Sequence, residues 1–232
     1  MKLFLCSHFS SVGNLIKEEI KMKKVVFIDW SKTLSYGLFW EQLQNKEHPN
    51  SAYWSIIRKW LFIDNHGLLD PWMRGKLSTK EVLDQMSQDT GLDRSLLEQE
   101  LKISCENMRF CIDNLPQIIA RIQKLGIKVV IATDNMDTFS RYTVPAMSLK
   151  KIFDDIIDSC QIGYLKDDEL PSDKILFFDK YLSDHDWSYR DAILLDNSPD
   201  ETGKYKQLGF ERILIDSPDS LRSELEKITD AI

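Results

Sequence analysis

The sequence predicts an α/β protein: a parallel, doubly wound sheet with an all-helical segment inserted after its first strand. Three observations predict it. Short β-branched runs alternate with helical stretches from residue 114 to the end. Those runs lack polar alternation, as strands buried on both faces require. Between the first run and the next lies a tract over residues 36–110 with helical periodicity and no strand signal.

Taken in order, the first strand is Val25 to Asp29, a run of β-formers that stops on a carboxylate. A polar, aromatic loop follows through Trp40. "NSAYWSIIRKWLFID" sets Trp54, Ile57, Trp60 and Leu61 at helical spacing. In "LSTKEVLDQMSQDTG", Ser78 and Glu81 make a capping box and Gly91 stops the helix. "LDRSLLEQELKISCENM" starts on Asp93 as N-cap. The period then changes. "NLPQIIARIQKLG" is a helix with Asn114 near its start and Gly126 at its stop, and "IKVVIATDN" is a strand ending at Thr133. "FDDIIDS" holds a shorter strand, and "SDKILFFDKYLS" is a helix. "DAILLDNSPDE" is a strand ending at Asp196, and "GKYKQLGF" is a short helix closed by Gly209. "ERILIDS" is a strand and "SPDSLRSELEKITDAI" a closing helix. The spatial order is expected to put the Asp29 strand centrally, between the Thr133 and Asp196 strands. The division expected is an arm over residues 1–21, a core over 22–35 and 111–232, and a helical cap over 36–110. Leu15 to Lys24 reads as a short helix.

The 232 residues can bury a substantial core. Hydrophobic content of 43% and charged content of 29% are those of an ordinary globular protein. A net charge of −7, with no long basic stretch, argues against a nucleic-acid or anionic-membrane binder. No apolar run is long enough to span a membrane. Cys6, Cys105, Cys111 and Cys160 form no CxxC, and no histidine stands at zinc-ligand spacing. They read as free thiols in a reducing, cytoplasmic compartment. Oligomeric state is not legible.

Asp29, Thr133 and Asp196 each end an apolar strand. In open α/β sheets, ligands bind beyond the carboxyl ends of the strands. Any one strand ends in a polar residue simply because loops are wet; all three together point to a site. The stretches "DWSKT", "ATDN", "GYLKDDELP" and "LLDNSPDE", in that order, resemble the four motifs of the haloacid dehalogenase (HAD) superfamily. The resemblance covers Lys24 to Ile215, and the helical tract stands where that family carries a helical cap. It implies a Rossmann-like core and a Mg²⁺-dependent hydrolase, here a phosphatase acting on a small phosphorylated metabolite through an aspartyl-phosphate.

The resemblance further implies that Asp29 is the nucleophile, that the Thr133 hydroxyl binds the transferring group, and that Lys166 balances charge. It implies that Mg²⁺ is held by Asp29, the backbone carbonyl of Ser31, and Asp196, with Asp200 matching a second acidic position. Trp30, Ser31, Thr33 and Asn135 are the residues expected against the substrate. A carboxylate is a poor nucleophile toward an anionic phosphate unless cations screen both, which Mg²⁺ and Lys166 would do. Lys166 in "LKDDEL" reads equally as a surface lysine taken alone.

The sequence departs from the family pattern. Ser31 stands where family phosphatases carry an acid–base Asp. Lys32 stands where Gly is common, and Asn197 where an Asp is often paired with Asp196. A serine hydroxyl neither gives nor takes the proton readily near neutral pH, and losing a general acid–base costs about 10²–10⁴-fold. Three readings follow. One is a phosphatase with a changed acid or a substrate with a good leaving group. Another resembles phosphonoacetaldehyde hydrolase, which needs a cap lysine for a Schiff base; Lys46, Lys59, Lys76 and Lys80 are available. The third is a non-catalytic binding module. The aromatics of the tract (Tyr36, Phe39, Trp40, Tyr53, Trp54, Trp60, Phe62 and Trp72) build either its own core or a wall over the substrate.

Overall fold

The structure, a computed structural model, describes residues 23–230. Five parallel strands run β1 Val25–Ile28, β2 Lys128–Thr133, β3 Asp155–Asp158, β4 Ala192–Asp196 and β5 Glu211–Leu214, in the spatial order β3-β2-β1-β4-β5. The Asp29 strand is central and flanked as expected. Side chains alternate across the sheet. Val26, Ile28, Val129, Ile131, Ile193 and Leu195 belong to one apolar layer, and Val25, Phe27, Val130, Ala132, Ala192 and Leu194 to the other.

Each layer is closed by helices. Helix Leu115–Lys124 buries Leu115, Ile118, Ile119 and Ile122, one stripe at helical spacing, and helix Pro218–Asp230 adds Leu221, Leu225 and Ile228. The opposite layer is closed by Phe177, Phe178 and Leu182 of helix Leu176–Asp184 together with Tyr205 and Phe210.

Residues 41–106 are helical and form a third apolar cluster around Trp40, Trp60, Trp72, Leu83 and Leu97. Helix Thr79–Thr90 has the capping box of Ser78 with Glu81 and stops at Gly91 in the left-handed region (φ 72). Helix Arg94–Glu106 is capped by the Asp93 carboxylate, which accepts from the Leu96 amide. The packing reading of the aromatics holds for Trp40, Trp60 and Trp72, whereas Tyr36 and Phe62 are exposed.

The structure differs from expectation in two stretches and adds helical turns in a third, to which the sequence assigned no element. Helix Ala52–Lys59 does not continue regularly but widens into π-type turns over Trp60–Asp64. Helix Leu176–Asp184 begins only after Ile175, so residues 172–175 stay outside it. Residues Phe139–Thr143 and Val144–Ala146 form one continuous helical run although β-branched Thr143 and Val144 precede Pro145; the turns leading into the proline are π-type. The expected arm over residues 1–21 and most of the helix from Leu15 lie outside the described residues. Lys24 is already committed to the sheet end, its amide donating to the Asp191 carbonyl at 2.7 Å. Among the described residues, no helix is long and apolar enough to cross a membrane.

Asp158, ending β3, is 1% exposed and accepts from the Ser140 hydroxyl (2.8 Å) and the Cys160 amide (3.0 Å). Burial pushes its carboxyl up to about 6, partly opposed by those two hydrogen bonds and helped by the Asp137 charge. A folded-state pKa above the unfolded one means that the fold keeps a proton which the open chain releases. Asp158 therefore contributes stability below about pH 4 that is lost by about pH 6, on the order of 3 kcal/mol. Urea unfolding across that window should show stability falling less, or rising more, with pH in Asp158→Asn than in the native chain; equal slopes would contradict this.

Candidate active site

The strand register assembles the site. Ile28 is level with Leu195 of β4 and with Ile131 of β2. The next residues, Asp29 and Asp196, therefore leave adjacent strands side by side, and Thr133 stands one step further out on the other flank. The Asp29 amide continues the ladder by donating to the Leu195 carbonyl at 2.9 Å. After Asp29 the chain turns sharply: the Leu34 amide donates back to the Asp29 carbonyl (3.2 Å), and Ser31 bridges to Ser35. Lys32 sits at the tip with φ 59, which explains why glycine suits this position.

Lys166 brings the strand ends together. Its ammonium is 2.6 Å from Asp29 Oδ1 and 2.6 Å from Asp196 Oδ2. All three residues are nearly sealed from solvent, at 4%, 4% and 1% exposure for Lys166, Asp29 and Asp196. Burial pushes the Asp29 carboxyl up to about 6, against the pull of Lys166. Burial alone would lower Lys166, but Asp29, Asp196 and Asp134 outweigh it and hold the ammonium above its ordinary value. Burial also opposes the Asp196 charge, yet Lys166 and Arg212 keep its carboxyl below the ordinary range. The surface-lysine reading of Lys166 is excluded.

Thr133 is fully buried, and its hydroxyl accepts from the Asn135 amide at 3.4 Å. Asn135 is fixed by its backbone N–H donating to Ser159 Oγ (2.9 Å). The Thr33 hydroxyl donates to Asp29 Oδ2 at 3.4 Å, which makes it a support of Asp29. Ser31 is exposed. Trp30 must be corrected. It is 2% exposed, donates to Met108 Sδ (3.4 Å), and packs against Phe110 and Phe139. The tight turn aims its ring down into the core, so it lines no substrate pocket.

The metal ligands expected from the sequence are only partly assembled. Asn197, with its amide oriented as its neighbours require, donates to the Ser31 carbonyl (3.1 Å) and to Asp29 Oδ2 (3.3 Å). One donor reaching both oxygens shows that they converge on a point a cation can share, and the Asn197 side-chain oxygen can turn to the same point. This donor set suits Mg²⁺, which accepts few protein oxygens and keeps several waters. Asp196 does not fit as a ligand. Its Oδ2 is taken by Lys166, and its Oδ1 accepts from the Ser198 amide (2.8 Å) and pairs with Arg212 (3.2 Å). Asp200 does not fit either, because its carboxylate caps the Lys206 amide at 3.0 Å. Among the described residues, no three His, Cys, Asp or Glu side chains gather around one point.

Two site residues escaped the sequence reading. Asp134 accepts from the Lys166 amide (3.2 Å), and burial pushes its carboxyl up to about 7. Its place in "ATDN", beside Thr133, was the available signal. Arg212, in β5, has a side chain only 2% exposed, and no motif marks it.

The helical segment is fastened over this end of the sheet. Arg74 pairs with both oxygens of Asp168 (2.7 and 2.5 Å), two residues beyond Lys166. Asp137 accepts from the Trp72 indole (3.3 Å) and the Thr79 hydroxyl. Gly75, at φ 66, lies so close to the Cys160 carbonyl that a Cβ would come within 2.4 Å of it.

No family model matches the chain, and no curated protein matches it. Solved structures do. A predicted HAD-like family hydrolase from Porphyromonas gingivalis is 14% identical, with 89% of this chain and 98% of that chain covered and a TM-score of 0.63. A HAD family enzyme from Bacteroides thetaiotaomicron, in complex with magnesium and inorganic phosphate, is 12% identical over 84% of this chain and 96% of that one, at a TM-score of 0.61. An L-2-haloacid dehalogenase from Xanthobacter autotrophicus is 16% identical over 90% and 86%, at 0.56. The chain has the HAD-like fold.

Proposed function

We propose that this HAD-like chain is a hydrolase that passes a phosphoryl group from a small phosphorylated metabolite to Asp29 and then to water. The observation that carries the reading is the Lys166 ammonium, 2.6 Å from Asp29 and buried with it. A carboxylate beside a cation, at the end of the strand next to the one that ends on Thr133, is what attack on phosphorus requires. An Asp29 oxygen bonds to phosphorus as the bond from phosphorus to the leaving oxygen breaks, giving an aspartyl-phosphate and an alkoxide or phenoxide. Thr133 donates to a phosphoryl oxygen, and Lys166 offsets the charge there. Water then attacks phosphorus and releases phosphate and free Asp29.

Asp29, the Ser31 carbonyl and Asn197 would hold Mg²⁺, which when bound neutralises phosphoryl charge. The magnesium and phosphate in the Bacteroides neighbour support this assignment. Ser31 offers no proton to the departing oxygen and no base to the water. The substrates favoured are thus esters whose leaving group departs as a stable anion. Residues 36–110 act as the cap, whose fastening through Arg74 and Gly75 must loosen to admit substrate. Free Cys105, Cys111 and Cys160 support a reducing, cytoplasmic setting.

A second reading has one observation in its favour. Lys166 and Arg212 already neutralise Asp29 and Asp196, as a non-catalytic binding module permits. Cleavage of phosphonates through a Schiff base has none: Lys46, Lys59, Lys76 and Lys80 are all exposed, and Lys59 and Lys80 pair with Asp64 and Asp84. A screen of alkyl and aryl phosphate esters with and without Mg²⁺ decides. The proposal expects turnover of aryl esters that chelation removes; no turnover of any ester leaves the binding module.

A further inference from the structure

We propose that Arg212 is a positioning residue of this site: acting through Asp196, it fixes the Lys166 ammonium on Asp29 and keeps Asp196 out of metal coordination. The inference deepens the function proposed above and rests on that assignment of Lys166.

The geometry begins with the sheet. Arg212 is level with Leu194, so it shares a face with Asp196 two residues on, and its long side chain runs along the sheet to reach it. Its Nη2 is 3.2 Å from Asp196 Oδ1, while Lys166 holds the other oxygen. Its guanidinium also grips Asp167, with Nη1 2.5 Å from Oδ1 and Nη2 3.3 Å from Oδ2. Its Cζ lies 4.7 Å from the centroid of the Tyr205 ring, and the Tyr205 hydroxyl donates to the Lys166 carbonyl at 2.8 Å. Arg212 therefore meets Lys166 by three routes: its side chain through Asp196, its backbone through Tyr205, and its chain neighbour Asp167.

The charges alternate along a line, Asp167, Arg212, Asp196, Lys166, Asp29. Asp196 has two cations and a backbone amide as partners, so a divalent ion could recruit it only by displacing one of them. Among the described residues, Arg212 Nε is buried without a partner, a cost to stability. A planar guanidinium that never loses its proton is suited to a fixed internal counter-ion, where an ammonium would not span both carboxylates.

The test measures Mg²⁺ binding by calorimetry and needs no turnover, so it answers even if no ester is ever hydrolysed. Arg212→Met keeps the unbranched stem of the side chain but removes the guanidinium from Asp196 Oδ1. Mg²⁺ affinity is expected to rise about tenfold or more, the scale on which outer partners tune metal sites. Arg212→Lys, which restores a cation beside Asp196, should fall back toward the native value. A rise cannot come from mere loosening of the fold, which would weaken binding. Unchanged or weaker binding in a folded Arg212→Met, including no binding in either chain, overturns the proposal. If Arg212→Met does not fold, Asp196→Asn decides. Mg²⁺ binding equal to the native chain supports the proposal, and a loss of about tenfold or more shows that Asp196 is a ligand after all.

Discussion

Asp29→Asn is expected to reduce phosphate-ester turnover by at least about 10³-fold while leaving the circular dichroism spectrum unchanged. The size follows from position. Among the described residues, Asp29 is the one carboxylate that lies at the end of the central strand, touches Lys166, and shares a point with the Ser31 carbonyl through Asn197. An amide keeps an acceptor oxygen for Lys166, and the Thr33 hydroxyl can turn to accept from the amide nitrogen in place of donating, so the fold has no reason to fail. It cannot form the bond to phosphorus, and no second acid can take over: Asp196 is braced by Lys166 and Arg212, and Asp134 is turned to the Lys166 amide. Retention of more than about a tenth of the native rate would remove Asp29 as the nucleophile.

Ser31→Asp is expected to raise turnover of alkyl phosphates by about 10²-fold and of aryl phosphates far less. Ser31 is exposed at the mouth of the site, so a carboxylate there meets no burial penalty. The turn it occupies is held by backbone, through Ser35 and the Leu34 amide, and survives the change of side chain. An alkoxide leaves poorly without a proton, whereas a phenoxide needs little help. The ratio of the two effects is therefore the diagnostic quantity. An equal gain for both ester classes would mean that the new acid acts through binding, and no gain would mean that proton transfer never limited the native chain.

The parts of the site legible in the sequence are those that strand logic exposes. Asp29, Thr133 and Asp196 each terminate a buried β-branched run, and the register then sets them side by side. Lys166 was recognisable from its motif, although no local pattern distinguishes a buried lysine in "LKDDEL" from a solvated one. Trp30 was ambiguous because a side chain's direction depends on how tightly the following turn closes, and the back-bonds of Leu34 and Ser35 decide it. Asp200 matched a second acidic position through the family resemblance, but one of its oxygens accepts from the Lys206 amide in the first turn of a short helix. Arg212 was invisible for a different reason. One arginine in the edge strand "ERIL" reads as a solvent-facing residue, and only the sheet order shows that it reaches Asp196. The helical residues 139–146 were hidden by β-branching and Pro145, which local propensity penalises and tertiary packing of Phe139 and Val144 overrides.

The central claim is covalent: phosphorus passes through Asp29. Without an acid–base at residue 31, a good leaving group should load the enzyme faster than water can unload it, so the intermediate accumulates. The most direct measurement is acid quenching of the enzyme within the first turnovers of an aryl phosphate, followed by digestion and mass spectrometry of the peptides. The account predicts a phosphoryl group on the peptide carrying Asp29, lost in Asp29→Asn and depleted in Ser31→Asp. Steady turnover with no phosphorylated peptide, or with the phosphoryl group on another residue, would contradict it.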